Sequence, residues 1–227
     1  RSKRLLALLG GFVFGLAPYI FGRGVGHYCL AACYFVPFSA YLCFLCYMDQ
    51  EVLSWKTWKT KRSAIRNMLL ILMCLLIANN GIGYYPFFTC FFLCITLLCS
   101  LIRNRSLRSV LPAIKVIILI TVFMLIALSP SFYYHLKYGN TGITERYLSD
   151  TEGYGLKVAQ LFIPLTSHGI KWIGDYISTY NESMPLVNEN SLSYLGTIAD
   201  VGFILSVLGI LKYPVRKEKL SESEELC

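Results

Sequence analysis

Charged residues are scarce in this sequence. Only 15% of its 227 residues are Asp, Glu, Lys or Arg, whereas 56% are hydrophobic, and the mean hydropathy is +0.55. Soluble globular domains usually contain about 25% charged residues. The scarcity of charge therefore excludes an ordinary water-soluble domain and indicates that lipid surrounds much of the chain.

Several signatures of soluble enzymes are also missing. The sequence has no glycine-rich nucleotide-binding loop, no zinc-binding His pair on one helix face and no Gly-x-Ser-x-Gly elbow. Cys43 and Cys46 form a C-x-x-C pair, but they lie in an apolar run without a second ligand pair, so we interpret them as packing residues. We therefore expect no metal site, and the sequence identifies no cofactor.

Six apolar runs are long enough to cross a hydrocarbon core about 30 Å thick, which needs about 20 helical residues. They cover residues 5–22, 28–48, 67–84, 85–102, 109–129 and 195–211. Single segments satisfy their backbone groups in lipid only as helices. The sequence thus predicts an all-α, polytopic transmembrane helix bundle. The third run is interrupted by Asn79, Asn80 and Gly81, which predicts a broken or tilted helix there.

Basic residues are distributed unevenly among the connections between these runs. Most of the 21 lie in four places: before the first run, between the second and third, around the start of the fifth, and after the sixth. Cytoplasmic segments of membrane proteins carry such an excess. We therefore expect a multi-pass protein of the bacterial inner membrane with both termini cytoplasmic. The same bias accounts for the net charge of +8, so no nucleic-acid partner is expected.

The long segment between the fifth and sixth runs is polar and rich in Tyr, Gly, Ser and Asn. We predict five transmembrane helices in residues 1–129, an extracytoplasmic loop in 130–194, and a last transmembrane helix with a charged cytoplasmic tail in 195–227. Because residue 1 is Arg rather than Met, we expect a longer parent protein. The loop contains two amphipathic pieces, at 154–163 and 170–180, and is therefore predicted to be partly helical.

Two polar clusters flank apolar runs. Arg23 and His27 follow the first run among glycines that let backbones approach closely, and they form either a ligand site or an interfacial turn. Asn188, Glu189 and Asn190 precede the last run. A carboxylate between two amides can orient a hydroxylated ligand, coordinate a hard cation, or cap the following helix.

Four regions of the chain carry a family resemblance. Their sequences are YIFGRGVGH at 19–27 with YFVP at 34–37, GYYPFF at 83–88, EGYGLKVAQLFIPLTSH at 152–168, and PLVNEN at 185–190 before Leu195 and Gly196. Together they resemble bacterial multispanning membrane proteins of the GT-C-like glycosyltransferase architecture, which use lipid-linked sugars. The resemblance implies an enzyme that moves a sugar from a polyprenyl-phosphate donor to an extracytoplasmic acceptor, with membrane lipids around it.

The resemblance also implies roles for particular residues. Glu152 or Glu189 is the expected catalytic acid/base, and the expected substrate-binding residues are Arg23, His27, Arg146, Lys157, His168, Asn188 and Asn190. Arg23, Arg146 or Lys157 would pair with the donor phosphate, and His168 would bind near the acceptor. In the family the catalytic acid usually lies in the first outward loop, whereas residues 22–26 contain no acidic residue here. Either the catalytic loop lies in an N-terminal part of the longer parent protein, or this relative does something else. The alternative functions are a transporter or flippase for a glycan or lipid intermediate and a noncatalytic membrane scaffold.

Overall fold

The fold is built from helices joined by turns. The structure, a computed structural model, describes residues 2–24, 28–48, 51–80, 83–139, 147–184 and 189–225, and no β-strand occurs among them. The α-helices are α1 (Ser2–Gly15), α2 (Pro18–Arg23), α3 (Tyr28–Ala31), α4 (Phe35–Met48), α5 (Lys61–Ala78), α6 (Tyr84–Asn104), α7 (Leu111–Tyr138), α8 (Asp150–Tyr154), α9 (Lys171–Glu182) and α10 (Thr197–Glu225). Short 3-10 helices lie at Trp55–Trp58, Leu107–Val110, Val158–Leu161 and Glu189–Leu192. The predicted all-α class is confirmed.

The chain forms two compact units. The central unit comprises residues 26–144, and the split unit comprises residues 1–25 together with 145–227. The central unit contains α3 to α7, and the split unit contains the other five α-helices. The predicted boundaries at 129 and 194 concern position relative to the membrane, which these internal contacts do not test.

Among the described residues, three helical segments are long and apolar enough to cross a membrane. They are Arg4–Arg23, Tyr84–Asn104 and Leu107–Tyr138, and α4 is a shorter apolar helix. The first, fourth and fifth predicted runs therefore have the length and composition of membrane spans. In the first of these segments no residue of the most apolar window is buried within the protein. Lipid solvates such a surface, whereas water would not.

The second and third predicted runs differ from the observed helices. The second run is divided, because α3 ends at Ala31 and α4 begins at Phe35. The third run was placed at 67–84, but α5 begins at Lys61 and ends at Ala78. Its first turns contain Lys and Arg, which are good helix formers and yet are invisible to a search for apolar residues.

Helix α7 continues beyond the predicted end of the fifth run at residue 129. Pro130 has no N–H group, so the carbonyl of Ile126 loses its usual helical partner. The hydroxyl of Ser129 donates to that carbonyl at 2.7 Å. Because the carbonyl is satisfied, the helix extends to Tyr138. Helix α7 therefore extends past the predicted end of the fifth run and into the segment 130–194, which was predicted to be partly helical.

Of the two amphipathic pieces predicted in the loop, one forms a continuous helix and the other does not. In the region 154–163, α8 ends at Tyr154 and only the 3-10 helix Val158–Leu161 follows, because Gly155 adopts an extended conformation. The piece at 170–180 is confirmed as a helix, α9. Ile177 on its apolar stripe is buried, whereas Trp172 on the opposite side is exposed.

The central unit has a hydrophobic core formed by α4, α5, α6 and α7. Its most deeply buried side chains include Leu42, Cys46, Cys74, Leu93 and Ile120. Cys46 lies inside this core and Cys43 packs against it, so both cysteines of the C-x-x-C pair occupy packing positions.

Candidate functional site

The C-terminal end of α2 packs against the 3-10 helix Glu189–Leu192 in the split unit. Gly22 permits this close approach. A Cβ atom at Gly22 would lie 2.9 Å from Cδ1 and 3.2 Å from Cβ of Leu192. Any larger residue would therefore require the Leu192 side chain or the 3-10 helix to shift, and Gly22 brings the next residue, Arg23, beside the 3-10 helix.

Arg23 is buried, with 6% of its surface exposed. Its Nη2 donates to Oδ1 of Asn190 at 3.4 Å. The guanidinium carbon also lies 5.8 Å from the centre of the Tyr19 ring, one turn earlier on the same helix. The ring face attracts the cation, so the aromatic contact and the amide together orient the guanidinium.

Asn190 connects α2 to α8. Its Nδ2 donates to the carbonyl of Tyr154 at 2.8 Å, while its Oδ1 accepts from Arg23. A side-chain amide carries one acceptor oxygen and a donor NH2 group, so it can make both contacts at once. Asn190 thereby fixes the end of α8 relative to the guanidinium.

Helix α8 also carries Glu152, which pairs with Lys157. The Nζ of Lys157 lies 2.9 Å from Oε1 of Glu152 and donates to the Glu152 carbonyl at 3.3 Å. The N–H of Lys157 donates to Oε1 of Gln160 at 2.9 Å, and Gln160 is buried. Both charged side chains are partly exposed, and such pairs contribute little to stability. The pair therefore positions charge more than it stabilises the fold.

Four of the predicted site residues lie on neighbouring elements of the split unit, and we call them the Arg23 network: Asn190 joins Arg23 to the end of α8, and Glu152 on α8 pairs with Lys157. His168 is engaged elsewhere, because its Nδ1 accepts the N–H of Ile170 at 3.1 Å just before α9. The remaining predicted site residues His27, Arg146 and Asn188 lie outside the described residues, as does the side chain of Glu189.

The sequence was compared with known families, proteins and structures. The model of the DUF6311 family, a domain of unknown function, matches residues 1–224. The chain belongs to the DUF6311 family. Neither a curated protein nor a solved structure matches it. The functional assignment of this DUF6311 chain therefore rests on the chemistry of its own residues.

The sequence interpretation missed two groups that contact the Arg23 network of this DUF6311 chain, the side chain of Gln160 and the carbonyl of Tyr154. Gln160 lies three residues after Lys157, and this spacing resembles that of a capping box, in which a side chain at the third helical position bonds the N–H at the cap. That spacing could have identified Gln160. The carbonyl of Tyr154 gave no signal, because every residue type carries one.

The Arg23 network of the DUF6311 chain combines two cations, a carboxylate and an amide. Guanidinium and ammonium groups bind phosphate, and a carboxylate can accept a proton from a hydroxyl. Within the described part of the chain, no three His, Cys, Asp or Glu side chains are grouped to hold a metal ion. The arrangement suits recognition of a phosphate together with a hydroxylated molecule.

Gly22→Ala tests whether the close approach of α2 holds the network of the DUF6311 chain together. The added methyl group overlaps Leu192, so we expect a loss of about 1–3 kcal/mol of stability in thermal unfolding of the detergent-solubilised protein. Gly10→Ala is the matched control, because a Cβ atom there meets nothing within 4 Å. Equal unfolding temperatures for the two variants would contradict the packing argument.

Proposed function

We propose that this chain belongs to a GT-C-like enzyme that transfers a sugar from a polyprenyl-phosphate donor to an extracytoplasmic acceptor. The observation that carries the proposal is the Arg23 network. It begins at the end of an apolar segment long enough to span a membrane, and through Asn190 it joins a buried cation to the backbone end of α8, the helix that carries Glu152. Its four members lie within three of the stretches that resemble the GT-C-like proteins.

In the proposed reaction Glu152 acts as general base. Its carboxylate takes the proton of the acceptor hydroxyl while the hydroxyl oxygen forms a bond to C1 of the sugar. The bond between C1 and the phosphate oxygen breaks, and its electron pair leaves with the polyprenyl phosphate. The guanidinium of Arg23 stabilises the charge on the departing phosphate, and Glu152 later releases its proton to water.

The ion pair between Glu152 and Lys157 implies that the donor binds before the acceptor in the proposed reaction. In the free protein the ammonium of Lys157 contacts Glu152 at 2.9 Å. A donor phosphate would compete for the same ammonium, because phosphate oxygens are strong acceptors of charge-assisted hydrogen bonds. Donor binding would then release Glu152 to receive the acceptor hydroxyl. Lys157 thus serves both as a phosphate partner and as a restraint on the base.

A transporter would use polar groups near the bilayer midplane. The charged side chain within the apolar helix α7 supports transport less than the Arg23 network supports sugar transfer. Lys115 lies inside the apolar helix α7, but its Nζ donates to the carbonyls of Val52 and Leu53 at 3.5 and 3.4 Å. Its charge is therefore held by a backbone segment of the central unit.

The proposed orientation places both termini in the cytoplasm and the Arg23 network on the outer side of the inner membrane. Its support is the distribution of basic residues. We expect an impermeant thiol reagent to label Ser183→Cys, after α9, in intact cells, and to leave Thr60→Cys unlabelled until the membrane is opened. Both positions are exposed, so access to the reagent depends on the side of the membrane. Labelling of Thr60→Cys alone in intact cells would reverse the orientation.

The test of function uses the full-length protein in native membranes and a panel of labelled polyprenyl-phosphate sugars. Consumption of one donor with release of polyprenyl phosphate supports sugar transfer. If no donor is consumed, the proposal fails, and uptake of labelled lipid intermediates into sealed vesicles then distinguishes a transporter from a scaffold.

A further inference from the structure

A groove of about 380 Å³ lies in the central unit between α5, α7 and the segment 51–60. One wall is a stripe of α7 formed by Lys115, Ile118, Leu119 and Val122. These positions follow the i, i+3, i+4, i+7 pattern, so they share one helix face. Ile71 of α5 and Trp58 contribute to the opposite wall. The groove is therefore apolar along its length, with a single cation at one end.

That cation has hydrogen-bonding capacity beyond its protein contacts. The Nζ of Lys115 donates to the carbonyls of Val52 and Leu53. An ammonium group has three N–H donors, and these carbonyls engage two of them. The third N–H is left for an oxygen atom of a ligand.

The segment that supplies these carbonyls is firmly attached to the bundle. Val52 is buried in the hydrophobic core. Thr57 is also buried, and its Oγ1 accepts from Nδ2 of the buried Asn67 on α5 at 2.8 Å. The groove is thus a preformed feature of the central unit, as ligand sites usually are.

We propose that this groove binds one anionic phospholipid, with its phosphate on Lys115 and one acyl chain along the apolar stripe of α7. The stripe runs about 10 Å from Lys115 to Val122 at the rise of an α-helix. Its outer part faces the surroundings, since Ile118 is 57% exposed. Helix α7 is long enough to span a membrane, so those surroundings are lipid chains.

Charge and aromatic placement favour an anionic headgroup over a neutral one. Lys56 and Lys59 are exposed and add positive charge to the segment 51–60, whose Val52 and Leu53 carbonyls accept from Lys115. The distribution of basic residues assigns this segment to the cytoplasmic surface, where anionic lipids attract such charges. Trp58 lies at the groove with its ring partly exposed, as tryptophans at membrane interfaces do. The proposal does not rest on sugar transfer.

Fluorescence of Trp58 can report the bound lipid. Trp55→Phe and Trp172→Phe leave Trp58 as the one tryptophan of this chain. The protein is placed in vesicles containing increasing fractions of brominated phosphatidylglycerol or brominated phosphatidylcholine, whose bromine atoms quench nearby tryptophan. We expect half-maximal quenching at about five-fold lower fraction of phosphatidylglycerol, the preference that one lysine near a membrane surface provides.

Substitutions of individual lysines identify the residue that causes the preference for phosphatidylglycerol. Lys115→Met should abolish it, whereas Lys115→Arg should keep it, because the charge is retained. Lys56→Met removes an exposed charge of the same segment outside the groove and should leave most of the preference intact. Equal quenching by both lipids in the wild-type background overturns the proposal, and so does a loss in Lys56→Met as large as that in Lys115→Met.

A second measurement covers the case in which Lys115→Met does not fold. Native mass spectrometry of the wild-type protein from mixed-lipid vesicles should show one retained phosphatidylglycerol. Retention of neither lipid above the other, or of polyprenyl phosphate in its place, overturns the proposal. Neither result depends on whether the protein consumes a sugar donor, so this proposal and the proposed function fail separately.

Discussion

Glu152→Gln is expected to slow sugar transfer by about 100- to 10,000-fold, which is the usual contribution of a positioned general base. The amide has nearly the shape of the carboxylate and can still accept a hydrogen bond from Lys157, so α8 should keep its place. It cannot take a proton from the acceptor hydroxyl. The measurement is release of polyprenyl phosphate from the labelled donor in native membranes.

Glu182→Gln is the matched control for this variant. Glu182 is exposed at the end of α9 in the same unit and has no part in the Arg23 network. Its replacement should leave transfer unchanged. Undiminished transfer by Glu152→Gln would remove Glu152 from the proposed mechanism and leave Glu189, the other predicted acid/base, to be tested by the same substitution.

Leu93→Ala is expected to lower the free energy of unfolding by about 2–5 kcal/mol. Leu93 lies on α6 with 0% of its surface exposed, in the core of the central unit. Lipid chains are as apolar as Leu, so the loss arises mainly from missing dispersion contacts around the cavity rather than from transfer to water. Unfolding of the detergent-solubilised protein by heat or denaturant measures the loss.

Leu98→Ala makes the same chemical change on the same helix, at a side chain that is 56% exposed. No cavity forms there, so its effect should lie within about 0.5 kcal/mol. A loss as large as that of Leu93→Ala would mean that the exposed face of α6 packs against another protein surface.

The helices could be predicted wherever apolar composition alone determines them. The fourth run matches α6 to within two residues at either end, because its flanks turn polar or adopt left-handed backbone at Gly83 and Arg105. The fifth run was predicted to end at residue 129, whereas α7 continues past Pro130, where the hydroxyl of Ser129 donates to the carbonyl of Ile126. A search for proline cannot recognise that compensation.

The candidate site could be predicted residue by residue, but its connections could not. Arg23 and Asn190 each drew attention as polar groups beside apolar runs. They are 167 positions apart, and only the folded chain shows that Asn190 joins Arg23 to α8. The close approach of Gly22 to Leu192 could not be predicted from the sequence either, because glycine also occurs at turns and helix ends.

The length of α7 has a consequence for how the protein sits in its bilayer. Its 28 residues extend about 42 Å, whereas the hydrocarbon layer is about 30 Å thick. Tilt alone would have to exceed the observed range of about 40° to absorb the difference. An α7 that crosses the membrane would therefore place its last turns in the headgroup layer; in those turns Lys137 lies 5.3 Å from the centre of the Tyr138 ring. Those amphipathic turns can slide through the headgroups, so the protein should accommodate hydrophobic mismatch in thicker or thinner membranes at that end.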